Sequence, residues 1–334
     1  MPGNPLVSVV LPVFNAAEFV EEALESILNQ TYKNLQIIII DDGSTDGSAE
    51  IVRKFNDSRI QLHKHPTNQG LISTLNEGFE LAQGNYIARM DADDVALATR
   101  IEKQVRYMEN NPHIGLLGSW TENFGAQRGI AKYPVNPEEN DWQMLYRSSF
   151  SHPSAMLRTE VLKQHQLRFD EEFLHAEDYE FATRLSLYTR LSNLPEVLLK
   201  YRVHAHSVSS RYREIQHYNT LRIIQRSLRW LSVEATLEQA SLFRRFADRA
   251  FDFSAEELQI LEPVLRGLLK SSSLPAYSRN QITERVWHLM LNAHSLPFEK
   301  KMLFLRRLVK DRLMALPPLW LQRLLVYHLR HKLL

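Results

Sequence analysis

Two short apolar runs constrain this chain more than any other feature. Leu6 to Val13 reads LVSVVLPV and Leu35 to Ile40 reads LQIIII. Each is too short for a core helix and apolar nearly throughout, as strands covered on both faces are. Each stops at polar residues, the first at Asn15 and the second at Asp41-Asp42-Gly43-Ser44. Between them, residues 16–29 place Phe19, Val20, Ala23, Leu24, Ile27 and Leu28 at helical spacing, with four glutamates opposite. Ser44 or Thr45 then suits the cap of a helix through about Phe55. Residues 59–63 are a third strand, and 70–82 a helix ended by Gly84. Tyr86 to Met90 is a fourth strand running into Asp91-Ala92-Asp93-Asp94, and 99–110 is helical again. Such alternation predicts an α/β layered fold around a mostly parallel sheet.

The rest of the chain has another character. Residues 1–210 carry 19 Lys and Arg against 28 Asp and Glu, a net −9. Residues 211–334 carry 21 against 11, a net +10. Ten of the eleven glycines lie at or before Gly129. From about Tyr212 the pattern is helical, broken at Pro263, Pro275, Pro297 and Pro317-Pro318. Two units are expected, 1–210 and an all-helical 211–334. The absence of cysteine excludes disulfides, a thiol nucleophile and thiolate metal sites. No run approaches the ~18 apolar residues of a membrane span. The N-terminus lacks a basic region, so a cytoplasmic location is expected.

In open α/β sheets ligands bind beyond the carboxyl ends of strands. Pro12 to Asn15, Asp41-Asp42 and Asp91 to Asp94 fall there. Five carboxylates at one edge repel unless a cation or donor groups compensate. A hard divalent cation such as Mn2+ or Mg2+ takes carboxylate oxygens and bridges phosphates. The competing reading is that these acids only form turns and caps. That reading is preferred for Asp46, but three carboxylates within residues 91–94 exceed what a cap requires.

Four segments together resemble the family-2 glycosyltransferases with the GT-A fold: VSVVLPVFN (7–15), IIIIDDGSTDGS (37–48), NQGLISTLNEG (68–78) and GNYIARMDADD (84–94). His152-Pro153-Ser154 resembles the family's acceptor-side strand, and Glu177-Asp178 its catalytic-base motif. Tyr201 to His204 with Ser207 to Ser209 resembles the segment that closes over the diphosphate. The resemblance spans roughly residues 5–210.

It implies inverting transfer of a sugar from a nucleotide-sugar donor to a glycan or lipid-linked hydroxyl, in cell-surface polysaccharide synthesis. Asp91 and Asp93 match the DxD motif that holds the cation against the diphosphate; Asp94 ranks lower. Asp42 matches the acceptor for a base N–H, which suits uracil and also guanine or thymine; a UDP-sugar is favoured. Pro12 to Phe14 would present backbone and an aromatic face to the base, though Phe14 also fits a core position. Asn68 and Gly70 would shape a turn beside the donor. Asp178 is the expected general base. Glu177 lies beside it, and both also fit the first turn of a helix. His204, with His206, would ligate the metal or meet the diphosphate, the alternative being exposed loop histidines. Arg202 suits phosphate by its fork, or else a local acid. His152 would line the acceptor pocket, and Arg89 would pair structurally with the acidic cluster.

Other classes fit less well. A sugar nucleotidyltransferase would want a glycine-rich loop after strand one, and LPVFNAAEF has none. A dehydrogenase would want GxGxxG. A catalytically inactive nucleotide-binding scaffold is the remaining alternative. In the basic third, Met302, Leu305, Leu308, Val309, Leu313 and Leu316 share a helical face, followed by LWLQRLLVYHLRHKLL with Trp320 and Tyr327. This predicts peripheral binding to an anionic membrane at its cytoplasmic face, against a packed helical subdomain or an oligomer contact. No nucleic-acid motif accompanies the basic residues, so no nucleic acid is expected as partner.

Overall fold

The computed structural model describes residues 4–204, 212–250, 252–293 and 296–309. The chain divides into two compact units, Met1–Asp141 with Ser148–Asn219, and Trp142–Arg147 with Thr220–Leu334. The expected boundary at 210/211 lies outside the described residues.

The first unit is built on one sheet. Its elements are β1 (Val7–Val13), α1 (Val20–Leu28), β2 (Leu35–Asp41), α2 (Ser48–Arg53), β3 (Ile60–Lys64), α3 (Leu71–Leu81), β4 (Tyr86–Arg89), β5 (Val95–Ala96) and α4 (Arg100–Asn110). Then come β6 (Ile114–Gly125), β7 (Gly129–Ala131), α5 (Pro137–Met144), β8 (Met156–Arg158), α6 (Thr159–Gln164), α7 (Glu177–Leu185) and β9 (Arg190–Val203). The strand order is β3-β2-β1-β4-β8-β6-β9-β5, with β7 beside β6. Strands β3, β2, β1 and β4 run parallel. Beyond them β8 is antiparallel to both β4 and β6, while β9 runs parallel to β6. The sheet is thus parallel where the alternating pattern was read and mixed past it. Every residue of β1 and β2 is buried, which explains their unbroken apolar runs. Helix α1 turns Val20, Ala23, Leu24 and Ile27 into the same core.

Register sets the functional edge. Val13 pairs with Asp41, and Val10 with Arg89, so β1, β2 and β4 end on one side. Two local expectations are corrected there. Helix α2 starts at Ser48 behind Gly47, not behind Ser44 or Thr45. Those two residues are engaged with Asn15: Ser44 Oγ accepts from its N–H at 3.0 Å, and Thr45 N–H donates to its Oδ1 at 2.9 Å. Asp46 accepts from the N–H groups of Ala17 and Ser48, the structural role expected of it. Gly84 does not cap α3, which ends on Ala82. A Cβ on Gly84 would lie 2.6 Å from the Ser8 nitrogen, so close approach to β1 requires glycine there.

The helical unit contains α8 (Arg213–Trp230, from Thr220 on), α9 (Leu237–Ala247), α10 (Ala255–Lys270), α11 (Ala276–Asn292) and α12 (Phe298–Val309). Thr236 with Gln239, and Ser254 with Glu257, form capping boxes that satisfy the first amides of α9 and α10. Pro263, expected to break a helix, lies inside α10. Burial of Leu258, Leu261, Val264, Leu265, Leu268 and Leu269 on that helix outweighs the lost hydrogen bond.

Helix α12 carries the first part of the face expected to meet lipid. Leu305 and Leu308 are buried, with Phe304, against α10. Arg307 reaches Glu262 of α10 at 3.5 Å. That part of the face is a packing surface, because an amphipathic stripe satisfied by a neighbouring helix is no longer open to a bilayer. Leu308→Ala should therefore cost about 2–5 kcal/mol of stability, read as a lower denaturation midpoint. Unchanged stability would mean that this face packs on nothing. Lys310, Leu313, Leu316, Trp320 and Tyr327 lie outside the described residues. Among the described residues no helix is long and apolar enough to cross a membrane.

Candidate active site

The end of β1 and the loop after β2 form one part of the site. Pro12 is buried and Phe14 is half exposed, just past the strand. Asp42, expected to accept from a nucleotide base, also has partners within the protein. Its Oδ1 accepts from Gln69 N–H and lies 2.7 Å from His65 Nδ1, while its Oδ2 accepts from Gly70 N–H at 2.9 Å. Three inward partners hold Asp42 buried. The neighbouring Asp41 accepts from Ser44 N–H through Oδ1, and its buried Oδ2 has no hydrogen-bond partner. Lys64 Nζ stands 3.6 Å from that oxygen. Asn68 is exposed on the loop that packs over Gly43. Gly43 has φ +74°, and a Cβ there would fall 2.6 Å from Thr67 C and 2.7 Å from Asn68 N. Gly43→Ala should lower stability by about 1–3 kcal/mol from backbone strain alone. Wild-type melting of that variant would show that the loop yields freely.

The loop after β4 forms the second part. One ligand atom from each of Asp91, Asp93 and Asp94 lies within 4.8 Å of the others. Arg89 makes a two-point ion pair with Asp91. Asp94 is buried; its Oδ1 accepts from Arg202 N–H at 2.8 Å and its Oδ2 has no hydrogen-bond partner. Burial raises the Asp94 pKa to about 9, helped by Asp91 and Asp93. Burial also raises Asp91 to about 6, against the pull of Arg89. Arg100 lies fully buried behind the loop and donates to the Arg89 carbonyl at 2.7 Å; burial lowers its pKa to about 9. Tyr201 of β9 also borders the cluster, its phenol pushed up by burial and then by the three aspartates.

Of the two expectations for Arg202, the donor phosphates or a local acid, the second is met: its Nε donates to the Asp93 carbonyl at 2.7 Å and its Nη2 pairs with Glu22. The guanidinium also lies over Phe124 and Phe19, at 4.3 and 4.7 Å. It clamps β9 onto the acidic loop. His204 Nε2 is 3.1 Å from Asp93 Oδ2, and its ring stacks on Phe19. It touches the edge of the three-carboxylate cluster through Asp93 rather than forming part of it. His206 and Ser207 to Ser209 lie outside the described residues.

These three aspartates fit a hard divalent cation. All donors are carboxylate oxygens, they are closely spaced, and one buried oxygen lacks a partner.

The third part is the start of α7. Asp178 is partly buried, and its Oδ1 accepts from Tyr179 N–H at 2.7 Å. Burial raises its pKa, while the Tyr179 N–H and Arg89 oppose the rise. Glu177 is buried with Oε2 unpartnered, and burial, then Asp178, lifts it to about 7. His152 has its ring 5.5 Å from that of Phe169 and 6.5 Å from that of Phe150. Burial drives its pKa well below 6.5, and Arg89 adds to that, so the ring is neutral at pH 7. Arg89 acts electrostatically on Asp91, Asp94, Glu177, Asp178 and His152 alike. The acidic loop, the start of α7 and His152 are therefore one electrostatic unit.

Residues 8–166 match the family model described as "Glycosyl transferase family 2". An uncharacterized glycosyltransferase of Haemophilus influenzae is 37% identical over 236 residues, covering 67% of this chain and 73% of the relative. The chain belongs to glycosyltransferase family 2. Another relative of this glycosyltransferase is the Escherichia coli UDP-Glc:alpha-D-GlcNAc-diphosphoundecaprenol beta-1,3-glucosyltransferase WfaP. It is 32% identical over 223 residues, 66% of this chain and 86% of WfaP. The crystal structure of Staphylococcus aureus TarS 1–349 in complex with UDP-GlcNAc shares the fold. Its TM-score is 0.61 at 18% identity, covering 92% of this chain and 90% of TarS. The fold is GT-A, with a helical region after it.

Sequence reasoning on this glycosyltransferase passed over several residues. His65 lies just before the quoted segment NQGLISTLNEG, and Glu77 lies within it with no role of its own to read from the pattern. Arg100 reads as an ordinary charge at a helix start, since only the loop folded over it makes it buried. Tyr201 was seen within its segment, but its nearness to the aspartates depends on the pairing of β9 with β5 and β6.

Proposed function

We propose that this glycosyltransferase moves a sugar from a nucleotide-sugar donor to a hydroxyl of a glycan or lipid-linked acceptor by one inverting displacement. The observation that carries the reading is the cluster of Asp91, Asp93 and Asp94, with its orphaned buried oxygen, at the end of β4 and electrostatically joined to Asp178 through Arg89. Mn2+ or Mg2+ would be held by these three carboxylates; when bound, it offsets charge on the departing diphosphate. Asp178 takes the proton of the acceptor hydroxyl. As that proton leaves, the acceptor oxygen forms its bond to the donor's anomeric carbon. The bond from that carbon to the diphosphate oxygen breaks, and the nucleoside diphosphate departs with the electron pair. Arg89 holds Asp91 and favours the ionised form of Asp178. His152, neutral and among aromatic rings, lines the acceptor side.

Asp41 and Asp42, side by side at the strand end, are the two candidates to accept the base N–H in this reading; Asp41 Oδ2 has no hydrogen-bond partner, and Lys64 stands 3.6 Å from it. Phe14 flanks it. UDP-sugars are favoured, in keeping with the donor named for WfaP and the complex described for TarS. A lipid-linked acceptor, reached at the cytoplasmic membrane face, is in keeping with the diphosphoundecaprenol acceptor named for WfaP. The chemistry belongs to residues 1–210, and the exposed Lys300 and Arg306 leave a basic rim on the helical region.

The test is transfer from UDP-glucose and UDP-N-acetylglucosamine to a sugar-diphospho-lipid acceptor, with the product's anomeric configuration read by NMR. A β-linked product from the α-linked donor is expected. Retention, or no turnover of any nucleotide sugar, would overturn the reading.

A further inference from the structure

Beyond β3 the chain turns through residues 65–70 into α3. His65 in that turn is 6% exposed. Its Nδ1 lies 2.7 Å from Asp42 Oδ1, and its Nε2 lies 2.6 Å from Glu77 Oε2. An ionised carboxylate only accepts hydrogen bonds, so a ring held between two of them donates from both nitrogens and is an imidazolium. Asp42 also accepts from the N–H groups of Gln69 and Gly70. On its other side the turn rests on Gly43, where even a Cβ would collide with Thr67 and Asn68. The turn is thus pinned between a charge-assisted clip and the Asp41–Ser44 loop, in which Asp41 Oδ1 accepts from Ser44 N–H.

We propose that Asp42, His65 and Glu77 form a positioning clip for the donor pocket, in which cationic His65 holds the 66–70 turn in the shape that binds the nucleotide. The inference rests on the nucleotide-sugar reading above. It assigns no contact with the reacting atoms. Its consequence is that donor affinity depends on a proton far from the acidic loop in sequence. The charged groups facing His65 are Asp42 from the end of β2 and Glu77 from α3; neighbouring Lys64 turns to Asp41 instead. Burial disfavours the cation, but the hydrogen bonds to Asp42 and Glu77 outweigh it, and the pKa of His65 stands above 6.5. The sign follows. The clip is complete below 6.5 and is lost as pH rises through the elevated pKa, because a neutral ring turns a lone pair toward one carboxylate.

The experiment titrates UDP with Mg2+ into the intact chain between pH 6 and 8.5, for wild type, His65→Gln and Glu77→Gln. His65→Gln donates to only one carboxylate, and its Kd for UDP should rise about tenfold. With UDP-glucose as donor, KM should rise more than kcat falls. Glu77→Gln can donate to a neutral ring, so it should bind UDP with a weaker pH dependence than wild type. The acidic loop titrates in both proteins, so the ratio of their Kd values isolates the clip. Linkage supplies a readout that a merely structural histidine does not move: saturating UDP should raise the pKa of His65 itself, followed by NMR of its ring. This holds even where His65→Gln fails to fold. A folded His65→Gln with wild-type affinity, or a His65 titration indifferent to UDP, overturns the clip alone. Wild-type protein that binds no nucleoside diphosphate overturns the donor reading, and the clip with it.

Discussion

Asp178→Asn should fold as the wild type does and turn over at least about 10²-fold more slowly, the scale of a lost general base. The amide keeps the shape of the side chain and can still accept from Tyr179 N–H through its oxygen. What it loses is the capacity to take a proton. In the wild type, burial raises the Asp178 pKa while Tyr179 and Arg89 restrain the rise, a balance that suits a base ionised yet still basic. Donor binding should change little, because the proposed nucleotide end of the site is built on β1, β2 and the turn before α3. Steady-state kinetics at saturating donor, with Kd for UDP measured beside them, separate the two effects. Near-normal turnover would return Asp178 to the role of a charge at a helix N-terminus.

Asp93→Asn should have a larger effect. Its two neighbours already have partners, Asp91 with Arg89 and Asp94 with the Arg202 amide. Asp93 is the most exposed of the three, and among the described residues its side chain pairs with His204. The change leaves two carboxylates and a neutral, weaker amide oxygen where three carboxylates stood. A cation at a developing diphosphate contributes several kcal/mol; at about 1.4 kcal/mol per tenfold, its loss is about 10³-fold in turnover. Extra Mn2+ should recover part of that activity if the variant weakens the metal rather than the fold. Turnover unchanged in Asp93→Asn, or in wild type treated with EDTA, would remove the cation from the account.

The parallel half of the sheet was legible because its signals are local. LVSVVLPV and LQIIII end within a residue or two of β1 and β2, since an apolar run covered on both faces must stop where the backbone meets solvent. The acidic loop was legible for the same reason, three carboxylates at the end of such a strand. What was hidden depends on distant partners. Adjacent residues leaving a strand point to opposite sides, so Asp41 and Asp42 cannot be told apart until His65, Gln69 and Gly70 fold back upon one of them. The sequence leaves Arg202 open between a phosphate and a local acid, and only the fold brings Glu22, Phe19 and Phe124 around it. The mixed half of the sheet pairs β6 with β9 across more than sixty residues, with register shifts near Ser119 and Trp120 that no periodicity announces. The amphipathic stripe of α12 reads alike toward a bilayer or toward α10, and only packing decides.

In the proposed reaction Asp91, Asp93 and Asp94 join a divalent cation to a nucleoside diphosphate. Calorimetric titration of UDP into the wild-type chain, once with Mn2+ and once with EDTA, tests it most directly. Binding should be at least about tenfold tighter with Mn2+, a difference of about 1.4 kcal/mol, and that gap should close in Asp93→Asn. Equal affinity with and without the metal in the wild type would contradict it.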